Sequence, residues 1–255
     1  MKAFALGAAL LFAAPAGAGE LETLKAQLQL DDDGKSVDAA HKLGELADPK
    51  ALDAMLDGLA TGAPPRVQAT LLGGLAGKKD TRAVEVLKHY AKNRNPELRK
   101  KAVSALGDLP DARALPTLVE ALSDSVEEVR AAAAMALGKR KERSAEGKLI
   151  KLMQHKDEAG AKALALIGTP ELARKIGELI GQVPDALLCT ALGDMLKRAD
   201  FGPEPIRVEV VKTLSKVPGV DSTTALVEYV TATEKDKQRP SRLEAQKIID
   251  QRSSK

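Results

Sequence analysis

The feature that most constrains this chain is a ten-residue segment that recurs along the sequence. Residues 98–107 read LRKKAVSALG and residues 129–138 read VRAAAAMALG. Apolar residues at the first, fifth, eighth and ninth positions of each copy form one buried helical stripe. We expect the closing glycine to adopt a left-handed conformation and to end the helix. The segment therefore predicts a repeated helix.

The late Leu or Ile of each copy sets the register of the repeat. The steps between these anchors are 32, 31, 31 and 30 residues, followed by 25, 22 and 35. A steady period of 20–50 residues is typical of stacked repeats. Only one helix fits between Leu192 and Leu214, so we expect a kink or a missing helix there. The anchors are Leu43, Leu75, Leu106, Leu137, Ile167, Leu192, Leu214 and Ile249.

A second helical pattern lies between the anchors. Residues 114–122 place Leu115, Leu118 and Leu122 on one face, and residues 51–59, 83–90 and 172–180 follow the same pattern. Turn signals separate the two patterns, and no stretch alternates apolar and polar residues in the manner of a strand. The repeated unit is therefore a helical hairpin. The expected helix caps are Asp48, Asp80 and Thr169.

The first 18 residues have the features of a signal peptide. Lys2 precedes the small and apolar run 3–14, and Ala16-Gly17-Ala18 matches an A-x-A cleavage site. The run is shorter than the roughly 20 residues that span a bilayer. A buried N-terminal helix is the alternative interpretation. We expect the mature protein to begin near Gly19 and to be periplasmic or secreted.

Charge and aromatic content argue against a nucleic-acid ligand. The formal net charge is +3, and the whole chain has no Trp, two Tyr and three Phe. Because positive and negative charges are nearly equal in number, the chain has little attraction for phosphates. Because it has few aromatic rings, it offers little surface for base stacking. The single cysteine, Cys189, excludes an intramolecular disulfide. Its apolar neighbours predict a buried thiol, and a reactive thiol is the alternative.

The segments PDARALPTLVEALSD (110–124) and EVRAAAAMALG (128–138) resemble HEAT repeats of the short class first named from phycobilisome lyases. The resemblance is regular over about 36–168 and irregular over 169–252, where Arg207 and Arg242 keep the repeat arginine and Ser215 replaces the glycine. It implies an all-α fold over 19–255, an α-solenoid of stacked helical hairpins that forms a HEAT/armadillo-like superhelix.

The flanking segments have the features of caps for such an array. Leu21, Leu24 and Leu28 predict a short N-terminal helix ahead of the acidic stretch 31–34. That stretch lacks the alternating carboxylates of a calcium loop, so it is interpreted as a cap for the next helix. At the other end, Leu243, Ile248 and Ile249 precede the polar tail 251–255, which we expect to be frayed.

No residue cluster predicts a catalytic or cofactor site. Some HEAT-like proteins, those related to deoxyhypusine hydroxylase, bind two irons through His-Glu pairs. His41, His89 and His155 are followed by Lys, Tyr and Lys, so no such pair exists. Phosphate-loop, nucleophile-elbow and Cys-His patterns are also missing. We therefore expect no enzyme activity, no metal and no cofactor, and surface positions for the three histidines.

The repeat arginines Arg99, Arg130, Arg207 and Arg242 allow two interpretations. A structural ladder would pair each guanidinium with a carboxylate or carbonyl of a neighbouring loop. The alternative is a row of anion-binding groups. The basic clusters 88–101 and 139–143 likewise predict a solvated face, with an acidic partner or an anionic envelope polymer as the alternative.

The resemblance implies that the helices carrying Arg99 and Arg130 line a concave surface. The expected function is therefore protein binding or scaffolding, with Arg99, Lys100 and Arg130 contacting a protein or peptide partner. An enzyme or enzyme helper resembling phycobilin lyases is the alternative. A nucleic-acid ligand and a membrane span are not expected, and the oligomeric state stays open.

Overall fold

The computed structural model describes residues 16–30 and 32–254 and divides the chain into two compact units, Met1–Val86 and Leu87–Lys255. In the described residues every regular element is a helix. The first unit contains α1 (Ala16–Leu28), α2 (Asp33–Glu45), α3 (Pro49–Ala60) and α4 (Pro65–Lys78). The fifth helix, α5 (Val84–Tyr90), begins in this unit after the 3₁₀ turn Thr81–Ala83 and ends in the next.

The second unit contains ten further helices. Single 3₁₀ turns, Ala112–Ala114 and Arg143–Ala145, lead directly into the helices that begin at Leu115 and Glu146. The helices are α6 (Pro96–Asp108), α7 (Leu115–Ala121), α8 (Glu127–Lys139), α9 (Glu146–Gln154), α10 (Glu158–Ile167), α11 (Pro170–Gly177), α12 (Asp185–Lys197), α13 (Glu204–Ser215), α14 (Val220–Ala232) and α15 (Pro240–Ser253).

Helical hairpins stack in each unit. In the first unit α2 packs against α4, and α1 covers α2 and α3. In the second unit α6, α8, α10, α12 and α14 pack side by side in that order, and we call them the second helices. The helices that alternate with them are the first helices, of which α11, α13 and α15 pack in order. The expected all-α solenoid of stacked hairpins is confirmed.

Local sequence accounts for where these helices begin. The carboxylate of Asp48 accepts a hydrogen bond from the Lys50 amide, and Asp80 and Thr169 cap their helices in the same way. Asp32 caps α2 by accepting from the amides of Gly34 and Lys35, as expected for the acidic stretch. Proline occupies the first turn of α3, α6 and α11, where its missing amide hydrogen costs little.

The anchors of the regular half lie in the core, as the repeat pattern predicts. Leu106 and Leu137 are fully buried and Ile167 is 3% exposed. Leu21, Leu24 and Leu28 of α1 are also buried, so the expected N-terminal cap helix is present. The helix starts at Ala16, within the proposed cleavage site, and most of the predicted signal peptide lies outside the described residues.

The repeat glycine has a different role from the one expected. Gly107 and Gly138 lie inside α6 and α8 and do not have positive φ values. A Cβ atom at Gly107 would lie 2.4 Å from the Cβ of Ala136 on α8, and one at Gly138 would lie 2.8 Å from Leu166 on α10. The glycine is therefore required because neighbouring second helices approach too closely for a side chain, and not because the helix must end.

The register assigned to the irregular half was wrong. Leu214 and Arg207 lie on α13, and Ile249 and Arg242 lie on α15, so all four belong to the row of α11 and not to the second helices. The second-helix counterpart of Leu192 is Leu226 of α14, which is fully buried and 34 residues further on. No helix is missing between Leu192 and Leu214, because the chain simply passes from a second helix to the next first helix.

The C-terminal tail is also better ordered than expected. Helix α15 continues to Ser253, and the Arg252 guanidinium donates to the hydroxyls of Ser222 and Thr223 and to the Ser215 carbonyl, at 2.7–2.8 Å. Leu243, expected on the apolar face, is 47% exposed. These contacts hold the end of α15 against α14 and the end of α13, so residues 251–253 belong to an anchored helix and not to the frayed tail that the sequence predicts.

Replacing Gly107 by Ala tests the close approach of α6 and α8. We expect Gly107→Ala to lower the free energy of unfolding by about 1–3 kcal/mol, because the added methyl group must push Ala136 away. The control is Gly73→Ala, inside α4, where a Cβ meets no atom within 4 Å. That change should raise stability by about 0.5–1 kcal/mol. Urea unfolding measures both, and a stabilised Gly107→Ala variant would contradict the packing argument.

Candidate partner-binding site

Arg99 joins the start of α6 to the turn before α8. Pro96 occupies the first turn of α6 and Asn95 caps it, which places Arg99 close to the preceding loop. The guanidinium donates to both carboxylate oxygens of Asp124 at 2.8 Å and to the Asn93 carbonyl at 3.0 Å. This two-point geometry is the strong form of an ion pair. The pKa of Asp124 lies below its ordinary value because of the hydrogen bond from Arg99.

Arg130 makes the corresponding contacts one helix further along. Its Nε donates to a carboxylate oxygen of Asp157 at 2.7 Å, and its Nη1 donates to the Asp124 carbonyl at 3.0 Å. Asp157 also caps α10 by accepting from the Ala159 amide. The side chains of Arg130 and Asp157 are 23% and 6% exposed, and those of Arg99 and Asp124 are 14% and 12% exposed.

The two arginines therefore have the contacts of a structural ladder, in which each joins its own helix to the next. Their charges are largely offset by adjacent carboxylates. Direct binding of a partner by Arg99 and Arg130 stays a prediction. Lys100, the third residue expected to contact a partner, is half-buried on α6 and makes no ion pair with the described residues.

Arg207 also binds a neighbouring loop, as the ladder interpretation predicts, but it does so from a first helix and through backbone carbonyls. It is 1% exposed on α13, and its guanidinium donates to the carbonyls of Arg198 and Gly202 at 2.7 and 3.0 Å. It therefore binds the chain between α12 and α13. On α15 the Nε of Arg242 is buried without a hydrogen-bond partner. Three of the four repeat arginines therefore bind a neighbouring loop: Arg99 and Arg130 from second helices and Arg207 from a first helix.

Sequence reasoning missed a second row of cations, at the ends of the second helices. Arg140 donates to the Asp111 carbonyl at 2.9 Å and to the carbonyl of Leu109. Arg198 donates to the Ala165 carbonyl at 2.7 Å, and Lys78 of the first unit donates to the Leu46 carbonyl. Each cation binds carbonyls at or just after the C-terminal end of the helix packed beside its own, which is α6 for Arg140, α10 for Arg198 and α2 for Lys78. Backbone acceptors at helix C-termini lack partners within their own helix. The available signal was a basic residue at the end of every other repeated helix, at Lys78, Arg140 and Arg198.

The two basic clusters are partly neutralised by neighbouring side chains. Lys92 lies 3.1 Å from a Glu120 carboxylate oxygen, and Lys101 lies 3.9 Å from Glu97. In the cluster 139–143, Arg140 is bound to carbonyls, and Lys141 lies 2.5 Å from Asp200. These contacts favour a solvated, internally paired face over a strongly cationic one.

Metal-binding geometry is not found in the part of the chain that the structure describes. No three His, Cys, Asp or Glu side chains there are grouped so as to hold an ion. His41, His89 and His155 are exposed, which confirms their expected surface positions. Cys189 is buried at 3% exposure, and burial, together with Asp221 and Asp185, raises its pKa to about 12. The interpretation of Cys189 as a small buried hydrophobe is therefore confirmed.

A cavity of about 420 Å³ lies beside Arg130, and we call it the α9 cavity. Its walls include Lys148, Lys151 and His155, with Leu122 and Leu152 as apolar lining. The position one repeat earlier holds a similar cavity of about 380 Å³ beside Arg99, the α7 cavity, which is lined by Thr117 and Glu120. Both open next to the ladder, at the N-terminal ends of second helices.

A family model of HEAT repeats matches residues 52–137 and 117–197, which together make up more than half of the chain. The chain belongs to the HEAT-repeat family. The stacked hairpins described above are therefore HEAT repeats, and the repeat arginines lie within them. No curated protein sequence matches the chain.

Solved structures of other HEAT and solenoid proteins share this fold. The complex of CpcE and CpcF of phycocyanin lyase from Nostoc sp. PCC7120 matches at 18% identity and a TM-score of 0.51, over 91% of this chain and 94% of that chain. The karyopherin Kap121p bound to the extreme C-terminus of the protein phosphatase Cdc14p matches at 15% identity and a TM-score of 0.53. That match covers 90% of this chain but only 29% of the karyopherin. At these identities the likeness shows the fold alone.

No helix among the described residues of this HEAT array combines the length and apolar character needed to cross a bilayer.

Acid should weaken the HEAT ladder through Asp124. The folded state holds its pKa below the unfolded value of about 4, so the stabilisation is present above that pH and is lost as the pH falls through the folded pKa. We expect Asp124→Asn to cost about 1–3 kcal/mol at pH 7 and to show a shallower loss of stability below pH 5 than the wild type. Urea unfolding at pH 7, 5 and 3 measures this.

The control for this experiment is Asp236→Asn, in the exposed loop before α15. It should unfold like the wild type at each pH. Parallel pH profiles for Asp124→Asn and the wild type would show that Arg99 and Asp124 do not contribute to acid sensitivity.

The thiol of Cys189 should be unreactive in the folded HEAT array. With a pKa of about 12, on the order of one thiol in 10⁴ is ionised at pH 8, and the sulfur is buried. We expect no reaction with a disulfide reagent in buffer and one thiol per chain in guanidinium. A Ser254→Cys variant, exposed at the C-terminal end, should react at once. Fast labelling of native Cys189 would show that α12 and α14 separate readily.

Proposed function

We propose that this HEAT-repeat chain is an exported protein that binds a protein or peptide partner through the exposed face of its second helices. The observation that carries the proposal is that this face holds apolar side chains not used by the core. Met135 of α8 is 40% exposed beside the half-buried Ala131 and Ala132, and Val227 of α14 is 44% exposed. Exposed methionine is enriched at protein interfaces.

Charged residues flank this apolar strip. Lys101 of α6 and Lys162 of α10 occupy the same repeat position as Ala132 of α8. Lys162 lies 2.8 Å from Glu158, so the flanks carry both signs of charge. Such a surface suits a partner with an apolar anchor surrounded by polar groups. Lys100 lies next to this strip on α6, and Arg99 and Arg130 lie at its N-terminal edge.

Two similar solenoids support a binding role. The Kap121p structure holds the extreme C-terminus of Cdc14p, and CpcE forms a complex with CpcF. The proposal of export rests on the apolar run 3–14 and on the Ala16-Gly17-Ala18 site.

Site-specific photocrosslinking tests partner binding. A photoreactive residue at Met135 should capture one partner protein in the native envelope fraction, because the side chain faces solvent on α8. The matched control places the same residue at Lys212, exposed on the first helix α13. Equal capture from both positions, or none from either, would contradict binding through the second helices.

Export is tested by cell fractionation with sequencing of the mature N-terminus. We expect the protein outside the cytoplasm with Gly19 as its first residue. Leu10→Arg with Leu11→Arg places charge in the apolar run and should retain a full-length precursor inside the cell. A wild-type protein that keeps Met1 in the cytoplasm would refute export.

The alternative function is that of an enzyme or enzyme helper of the phycobilin-lyase kind. It is supported by the likeness to the structure of the CpcE and CpcF complex. The match covers 91% of this chain and 94% of the matched chain. Addition of free phycocyanobilin to the purified protein distinguishes the two functions. A shift of the bilin absorption band favours the alternative, and an unchanged spectrum favours the binding module.

A further inference from the structure

We propose that the α9 cavity binds an acidic segment of the partner, an inference that rests on the proposed function and names the chemistry of the partner. The cavity lies between the turn before α8, helix α9 and the N-terminus of α10. Its volume of about 420 Å³ has the size of a small ligand site. Arg130 belongs both to its wall and to the ladder, so the cavity adjoins the second-helix face.

The charge of the α9 cavity is positive because the carboxylates in its wall are already paired with arginines. The carboxylate of Asp124 accepts hydrogen bonds from Nε and Nη2 of Arg99. The carboxylate of Asp157 accepts hydrogen bonds from Nε of Arg130 and from the Ala159 amide. Lys148 donates one hydrogen bond to the Val119 carbonyl at 3.0 Å, which leaves two donors of its ammonium group.

The remaining polar lining has no counter-charge. Lys151 and His155 have no side-chain partner among the described residues. The cavity therefore presents unneutralised ammonium groups to solvent. An anion that enters the α9 cavity is attracted by these ammonium groups and does not have to displace a carboxylate already bound to them.

The α7 cavity provides an internal comparison. It lies 31 residues earlier in the repeat, where Thr117 stands in place of Lys148 and Glu120 in place of Lys151. Glu120 is paired with Lys92 at 3.1 Å, so the charges of the α7 cavity are satisfied within the chain. A residue needed only for stacking would recur in both repeats. The two lysines do not recur, so the stacking of the repeats does not require them.

The apolar part of the lining favours a peptide over a polyanionic carbohydrate. Leu122 and Leu152 lie beside the lysines in the same cavity. A peptide can place an aliphatic side chain against the small exposed parts of these leucines, 2% of Leu122 and 9% of Leu152, while adjacent carboxylates meet the ammonium groups. A uronic acid polymer offers the carboxylates but no aliphatic side chain.

The test uses the full-length mature chain and a fluorescein-labelled peptide of sequence Glu-Leu-Glu-Glu-Leu-Glu. We expect saturable binding by fluorescence anisotropy that weakens as NaCl rises from 50 to 200 mM. Lys148→Thr with Lys151→Glu gives the α9 cavity the residues of the α7 cavity and should reduce affinity at least tenfold. The matched control is Lys235→Thr with Lys237→Glu, which makes the same charge change in the exposed loop before α15.

The control variant should bind within twofold of the wild type, and the thermal midpoints of all three proteins should agree. Wild-type affinity in the Lys148→Thr, Lys151→Glu variant, or no binding by the wild type, would overturn the inference. Displacement of the peptide by polygalacturonate at equal carboxylate concentration would also overturn it, in favour of a carbohydrate. Crosslinking at Met135 with no peptide binding would leave partner binding intact and remove only the acidic-segment inference.

Discussion

The structure depends on the close approach of neighbouring second helices. A chain with almost no aromatic bulk cannot fill a thick core, so it buries Ala, Leu and Val in thin layers between helices. The approach of Gly107 to Ala136 brings one helix backbone against the next. Gly44 and Gly74 do the same between α2 and α4, where a Cβ at either would lie within 3.2 Å of the other's Cα. Small residues at these points let many weak dispersion contacts form at once.

Polar contacts fix the ends of the stacked helices. Arg99 and Arg130 act at the N-terminal ends, through carboxylates of the following turn. Arg140 and Arg198 act at the opposite ends, through carbonyls of the preceding helix. Backbone groups at helix ends lack partners within their own helix, so the cations supply hydrogen bonds and favourable charge together. The two kinds of contact together restrain α6 and α8 at both ends.

The fold could be predicted because its signals are local. The caps at Asp48 and Thr169 and the stripe that buries Leu106 each depend on residues within one or two helical turns. Gly107 was misread because its reason lies on another helix, which the sequence alone does not place beside it. Leu214 was assigned to the wrong row because first and second helices carry the same apolar spacing, and only packing distinguishes them.

The candidate site was less predictable for the same reason. Arg130 could be singled out because an arginine recurs at its position in the repeat. Lys148 and Lys151, in contrast, lie on a helix whose sequence contains no recognisable motif. Their association with Leu122 arises only when α9 packs behind the turn before α8. A surface formed by several repeats leaves little trace in any single segment.

The ladder also determines how the array responds to local damage. Asp124 receives Arg99 through its carboxylate and Arg130 through its carbonyl, so one turn residue is shared by two successive helices. Melting that turn would remove the carboxylate bound to Arg99 and a carbonyl bound to Arg130 at the same time. Neighbouring hairpins are thereby coupled in folding, and the array gains cooperativity from a residue that contributes nothing to its apolar core.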